Sequence, residues 1–100
     1  MSRADRSLLL SPRAEDDFTD ILQYTLKTWG EAQLFAYRAV LDNALLTIQQ
    51  NPDIGHQRPE LSTAHRIFPA GRHIIVYRAN DQAVYVSRIL HECMDIGQHL

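Results

Sequence analysis

Apolar positions along this chain change their period, and the changes mark out its elements. Ser7-Leu8-Leu9-Leu10-Ser11 is a short apolar run that reads as a strand. Ser11-Pro12 then opens a helix, because a serine N-cap accepts from an orphan backbone N–H and proline at the first helical position has none to orphan. Glu15, Asp16 and Asp17 follow where the helix dipole favours acids. Ala14, Phe18, Ile21, Leu22, Thr25 and Trp29 recur at helical spacing and predict one apolar face. Gly30 suits the left-handed residue that ends many helices. Leu34, Tyr37, Leu41, Ala44, Leu45 and Ile48 predict a second helix, which Asn51-Pro52 stops. With so little between them, the two helices should form a hairpin.

After Pro52 the period becomes two. Residues 53–63 are turn-rich, and His65-Arg66-Ile67-Phe68 reads as a strand. Pro69-Ala70-Gly71 is a turn. Arg72 to Ala79 is a second strand, with Ile75 and Tyr77 on one face and Ile74, Val76 and Arg78 on the other. Asn80-Asp81-Gln82 is a hairpin loop, and Ala83 to Leu90 is a third strand rich in β-branched residues. Residues 92–100 form a short tail with a helical turn, and residues 1–6 read as a frayed start. The order is β-αα-βββ, an α+β class: a helical hairpin packed on a small antiparallel sheet in one domain spanning 1–100. The hairpin covers one apolar face of the sheet. The other is expected to be partly solvated or reserved for a partner.

Composition narrows the function classes. A chain of 100 residues with 45% hydrophobic residues has enough apolar material for one core, which excludes disorder. Ten Lys+Arg against twelve Asp+Glu give a net charge of −2, a poor footprint for sequence-specific DNA binding. The charge is uneven, however. Residues 1–55 sum to −3, whereas residues 56–91 sum to +3 and hold four of the five histidines. That half could present a basic face. Cys93 is the single cysteine, so no intrachain disulfide framework exists, and a small buried apolar role is expected for it. Leu8-Leu9-Leu10 is too short for a secretory core and no run approaches a membrane span, so a cytoplasmic chain without membrane contact is expected.

The same basic half holds the candidate chemistry. RNA cleavage needs a base, an acid and cations around the phosphorane. His73, Arg72, Tyr77, Arg78, Arg88 and His91 are the available groups. Alternation puts Arg88 and Leu90 on one face and Ile89 and His91 on the other, so these groups do not automatically converge. The competing reading is structural: His91 caps the sheet edge, Tyr77 is buried with a bonded hydroxyl, and Arg78 and Arg88 pair with acids such as Asp95 or with a partner. Trp29 reads as core or lid packing, and Leu90 with Met94 would seat the tail. His91, Cys93, Asp95 and His99 are close in sequence but lack the spacing of a metal site, and no phosphate loop is present, so neither metal nor cofactor is expected.

Four sequence pieces together resemble a known family. They are Ser11-Pro12-x-Ala14-x-x-Asp17; Tyr24 followed by Trp29-Gly30; Asn51-Pro52-x-x-Gly55-x-x-Arg58-Pro59-Glu60-Leu61; and Gly71-x-His73-x-x-x-Tyr77-Arg78 with Arg88-Ile89-Leu90-His91-x-x-Met94-Asp95 and His99-Leu100. In this order, over about residues 8–100, they resemble the ParE branch of the RelE/ParE toxin superfamily. The resemblance implies a bacterial type II toxin that causes growth arrest by binding DNA gyrase, without bond chemistry of its own. It also implies a ParD-like antitoxin whose disordered C-terminal segment folds over the toxin in a hetero-oligomer. Arg66, Arg72, Arg78 and Arg88 are the expected antitoxin contacts, flanking a groove between hairpin and sheet. Trp29, His91 and Met94 are the expected target contacts. The alternatives are a RelE-type ribosome-dependent mRNA endonuclease, whose catalytic set would be His91, Arg78, Arg88 and Tyr77, and an inactive homologue that only binds antitoxin.

Overall fold

The chain runs β1 (Ser7–Leu10), α1 (Pro12–Trp29), α2 (Glu31–Gln50), β2 (Arg66–Ala70), β3 (His73–Ala79) and β4 (Ala83–His91), with 3-10 turns at Pro52–Ile54 and Ile96–Gln98. This is a computed structural model that describes residues 6–99; the frayed start expected at 1–6, apart from Arg6, and the terminal Leu100 lie outside those residues. The sheet order is β1-β4-β3-β2. β2, β3 and β4 form the antiparallel meander, and β1 joins β4 in parallel, so the sheet is mixed. The α+β class and the β-αα-βββ order are as the periodicity predicts.

Gly30 alone separates the helices. Its φ of 90° is open to glycine, and its N–H donates to the Leu26 carbonyl at 3.0 Å while its carbonyl starts α2. The β2–β3 turn is shorter than expected. β2 continues through Pro69 and Ala70, leaving Gly71 and Arg72 as the turn. Proline is tolerated there because β2 is an edge strand.

Two polar side chains from the start of α1 settle how the hairpin meets the sheet. Ser11 Oγ accepts from the Ala14 N–H at 3.0 Å and donates to the Ser87 carbonyl at 2.8 Å. Ser87 lies where the β3–β4 register shifts, since Val76 faces Arg88 but Tyr77 faces Val86. Such a bulge reverses the facing of later residues. Val84 and Val86 before it and Ile89 after it therefore all reach the helix-side core, while Leu90 packs on the opposite face.

Asp17 acts beyond the end of β1. Its Oδ2 accepts the Ile89 N–H at 2.9 Å, a donor left without a strand partner. The same carboxylate takes the Arg88 guanidinium in two hydrogen bonds, 2.8 and 3.0 Å long. Both side chains are well covered, 13% and 15% exposed. Arg88 also donates to the His99 carbonyl at 2.7 Å. Asp95, the acid expected to pair with Arg78 or Arg88, instead accepts from the Gly97 N–H and caps the last turn.

The helix-side core holds Ala14, Leu41, Ala44, Leu45, Ile48, Ile75, Tyr77, Val84, Val86 and Ile89. Tyr77 is fully buried, donating to the Pro52 carbonyl and accepting from the Gly55 N–H at 3.0 Å. Gly55 is required for space, because a Cβ there would run into the Tyr77 hydroxyl and lie 2.9 Å from the Ile67 carbonyl. The second sheet face is covered at one end and partly solvated at the other, where Arg78 and Leu9 are exposed. Leu61 from the linker and Ile96 from the tail close over Ile67, Ile74, Val76 and Leu90. Ile96, not Met94, seats the tail: Met94 is 45% exposed, and Cys93 is exposed rather than buried. The turn that bonds the Met94 N–H to the His91 carbonyl leaves residues 92–95 outside, and the chain returns to the sheet only at Ile96.

Candidate functional site

The far end of the hairpin keeps its apolar residues but loses its cover. Trp29 is 69% exposed, Phe35 66% and Tyr24 65%. Trp29 continues the apolar face of α1, yet it is not packed as expected, because the core residues of both helices lie toward the other end. Beneath this tip is an open groove of about 770 Å³. α1 supplies one wall through Asp20, Ile21, Tyr24, Thr25 and Trp29, and α2 contributes Gln33 and Tyr37. The opposite wall is Gly71, Arg72, His73 and His91, from the β2–β3 turn and the adjacent ends of β3 and β4.

Tyr37 ties the two walls together. Its hydroxyl accepts the Arg72 N–H at 2.9 Å, lies 2.5 Å from His73 Nδ1 and is 3.2 Å from the Ala70 carbonyl. Burial holds its pKa above the ordinary 10.0. Gly71, at φ 61°, is needed twice over: for the turn, and because a Cβ would lie 2.7 Å from the Tyr37 ring and hydroxyl.

His73 stands edge-on between two rings, with centroids 5.5 Å from Tyr37 and 5.4 Å from its cross-strand partner His91. Burial, and secondarily the proximity of His91, hold the His73 pKa below its ordinary 6.5. His91 Nδ1 accepts the Cys93 N–H at 3.1 Å, which places the proton of its neutral form on Nε2. Each imidazole thus has Nδ1 engaged, and neither Nε2 has a hydrogen-bond partner among the described residues.

The structure separates most of the residues singled out from the sequence. Of the four arginines expected to flank one groove, only Arg72 lines it. Arg66 donates to the Gly55 carbonyl at 2.9 Å, and Arg88 is held by Asp17. Arg78 lies 4.6 Å over the Tyr85 ring. It sits six positions along β3 from Arg72, roughly 20 Å away at strand rise. The set His91, Arg78, Arg88 and Tyr77 therefore does not converge: Tyr77 is in the core, Arg88 is in an ion pair and Arg78 is at the other end of the sheet. Trp29 and His91 share the groove, whereas Met94 is exposed outside it. Tyr24 and Tyr37 are groove residues that sequence reasoning missed as a site. Tyr37 sits in an apolar stripe, and only the Gly71-x-His73 piece, which its ring forces to be small at Gly71, hinted at a close contact there.

Among the described residues, no group of three or more His, Cys, Asp or Glu side chains is placed to hold a metal ion, and no helix is long and apolar enough to cross a membrane.

Comparison with known proteins agrees with this fold. Residues 8–96 match the family model described as the ParE toxin of the type II toxin–antitoxin system parDE. Toxin ParE1 of Mycobacterium tuberculosis is 33% identical over 93 residues, covering 92% of this chain and 95% of its own. Toxin ParE1 of Caulobacter vibrioides is 32% identical over 91 residues, covering 91% and 94% respectively. A chromosomal ParDE toxin–antitoxin structure from P. aeruginosa superposes with a TM-score of 0.73 at 17% identity, covering 88% of this chain and 97% of that one. On the strength of the nearly full-length match and these relatives, the chain belongs to the ParE toxin family of type II toxin–antitoxin systems.

Proposed function

We propose that this chain is a toxin that inhibits DNA gyrase by stoichiometric binding, and that a ParD-like antitoxin neutralises it by covering the groove. The observation that carries a binding role is the exposed aromatic tip above an open groove, with Tyr77, Arg78 and Arg88 held elsewhere in the fold. Large exposed aromatic residues beside a concave surface are a characteristic of protein-binding sites. Trp29 and His91 line the groove together with Arg72, so a segment seated there would mask the proposed target contacts directly. Met94 is exposed outside the groove, and its proposed target contact is a separate one.

The test is supercoiling by purified gyrase, titrated with the folded toxin and then with toxin plus antitoxin. Loss of supercoiling that antitoxin reverses is the expected result. Unchanged supercoiling at large molar excess would overturn the gyrase reading. A second reading, mRNA cleavage on translating ribosomes, has one observation in its favour: His73, His91 and Arg72, three of the six groups available in the sequence, do meet in the groove, although of the narrower set only His91 is there. It requires that His91→Gln or His73→Gln abolish cleavage of ribosome-bound message while folding persists. Absence of growth arrest on expression, with antitoxin binding intact, would identify an inactive homologue instead.

A further inference from the structure

We infer that His73, His91 and Arg72 form a proton-controlled carboxylate subsite, which captures a peptide segment carrying one acidic residue beside an apolar one. For the natural source of that segment, the inference rests on the antitoxin reading above.

Three features lead to this ligand. Arg72 is an exposed, permanently charged donor on the groove wall and has no side-chain partner among the described residues. The two imidazoles are fixed through Nδ1, by Tyr37 and by the Cys93 N–H, which leaves their Nε2 edges for a ligand. A carboxylate offers acceptors only, so it complements the Arg72 guanidinium, the Nε2–H that neutral His91 presents, and a protonated His73. Beside this polar wall, Ile21, Tyr24 and Trp29 give apolar cover for a neighbouring side chain.

The surrounding charges set the limits of specificity. Asp20 lies on the α1 wall, and Asp17 and Glu92 are close enough to favour the charged form of His73. A run of acids would meet these three carboxylates, whereas a single acid flanked by apolar residues avoids them. Among the protein's own groups, burial first and then His91 disfavour charge on His73. A bound carboxylate supplies the missing counter-charge, so ligand and proton bind together and each tightens the other.

The experiment uses the full chain, with the ring resonances of His73 and His91 followed by NMR. The probes are acetyl-Leu-Asp-Leu-amide and its asparagine counterpart. The aspartate peptide is expected to shift both ring resonances and to bind about tenfold more tightly near pH 6 than near pH 8, as charging one imidazole beside a carboxylate would produce. The asparagine peptide should lose that pH dependence. Arg72→Gln, at an exposed turn position, should weaken the aspartate peptide at both pH values with the fold intact. Equal binding of the two peptides, pH-independent binding or unmoved ring resonances would each overturn the inference. Success of the gyrase and antitoxin assays alongside failure of these peptides removes the subsite and leaves the toxin reading. The reverse result removes the toxin reading and leaves the subsite.

Discussion

The two ends of the helical hairpin both carry apolar residues, in opposite surroundings. At the base, Ala14, Leu41, Ala44, Leu45 and Ile48 are buried against the sheet, and Asp17 ties α1 to β4. At the tip, Tyr24, Leu26, Trp29 and Phe35 are as apolar by type and all exposed. The base holds the fold together. The tip, with the groove beneath it, carries surface that the fold does not use. An exposed apolar group costs little in stability here only because nothing depends on its burial, so the two ends should respond to substitution in opposite ways.

The largest expected loss is at the base. Asp17→Ala leaves the Arg88 guanidinium poorly exposed and unpaired and orphans the Ile89 N–H, at a cost of about 3 kcal/mol. Chemical denaturation measures it, and a loss below about 1 kcal/mol would show that water can replace the carboxylate at β4. Ile48→Ala, at a fully buried position, should cost about 2 to 3 kcal/mol with an unchanged denaturant slope.

The groove lies between the two regimes. Tyr37→Phe removes the acceptor for the Arg72 N–H and the contact to His73, for an expected loss of about 1 kcal/mol. Acid probes the same contact. His73 has a folded pKa below 6.5, so it is neutral in both folded and unfolded chains at higher pH and contributes nothing there. As pH falls through 6.5 the unfolded chain takes up the proton first, and stability drops until the folded imidazole is charged as well. His73→Gln should flatten that part of a stability–pH profile; an unaltered slope would assign the acid sensitivity to another group.

The smallest effects on stability belong to the tip. Trp29→Ala and Phe35→Ala should each change it by no more than about 0.5 kcal/mol. Trp29→Ala should nevertheless weaken gyrase inhibition or antitoxin binding, read by supercoiling and by titration calorimetry. A large drop in melting temperature for either variant would erase the distinction between base and tip.

Local chemistry was sufficient for much of this protein. The Ser11 cap, Pro12, the helical spacing from Ala14 and from Leu34, and the alternation after residue 65 each depend on near neighbours, so the order β-αα-βββ was legible in the sequence. Features set by contacts between distant segments were not. The choice of Asp17 over Asp95 for Arg88 spans seventy-one residues. The bulge at Ser87 needs Ser11 to receive its carbonyl. Exposure of Trp29, Cys93 and Met94 depends on where the sheet and the tail stop covering them. The groove is made the same way, since Tyr37, Arg72, His73 and His91 meet only when α2 lies across the β2–β3 turn and β3 pairs with β4. Periodicity states which residues could share a face; only the packing of one element on another decides whether that face is buried, and against what.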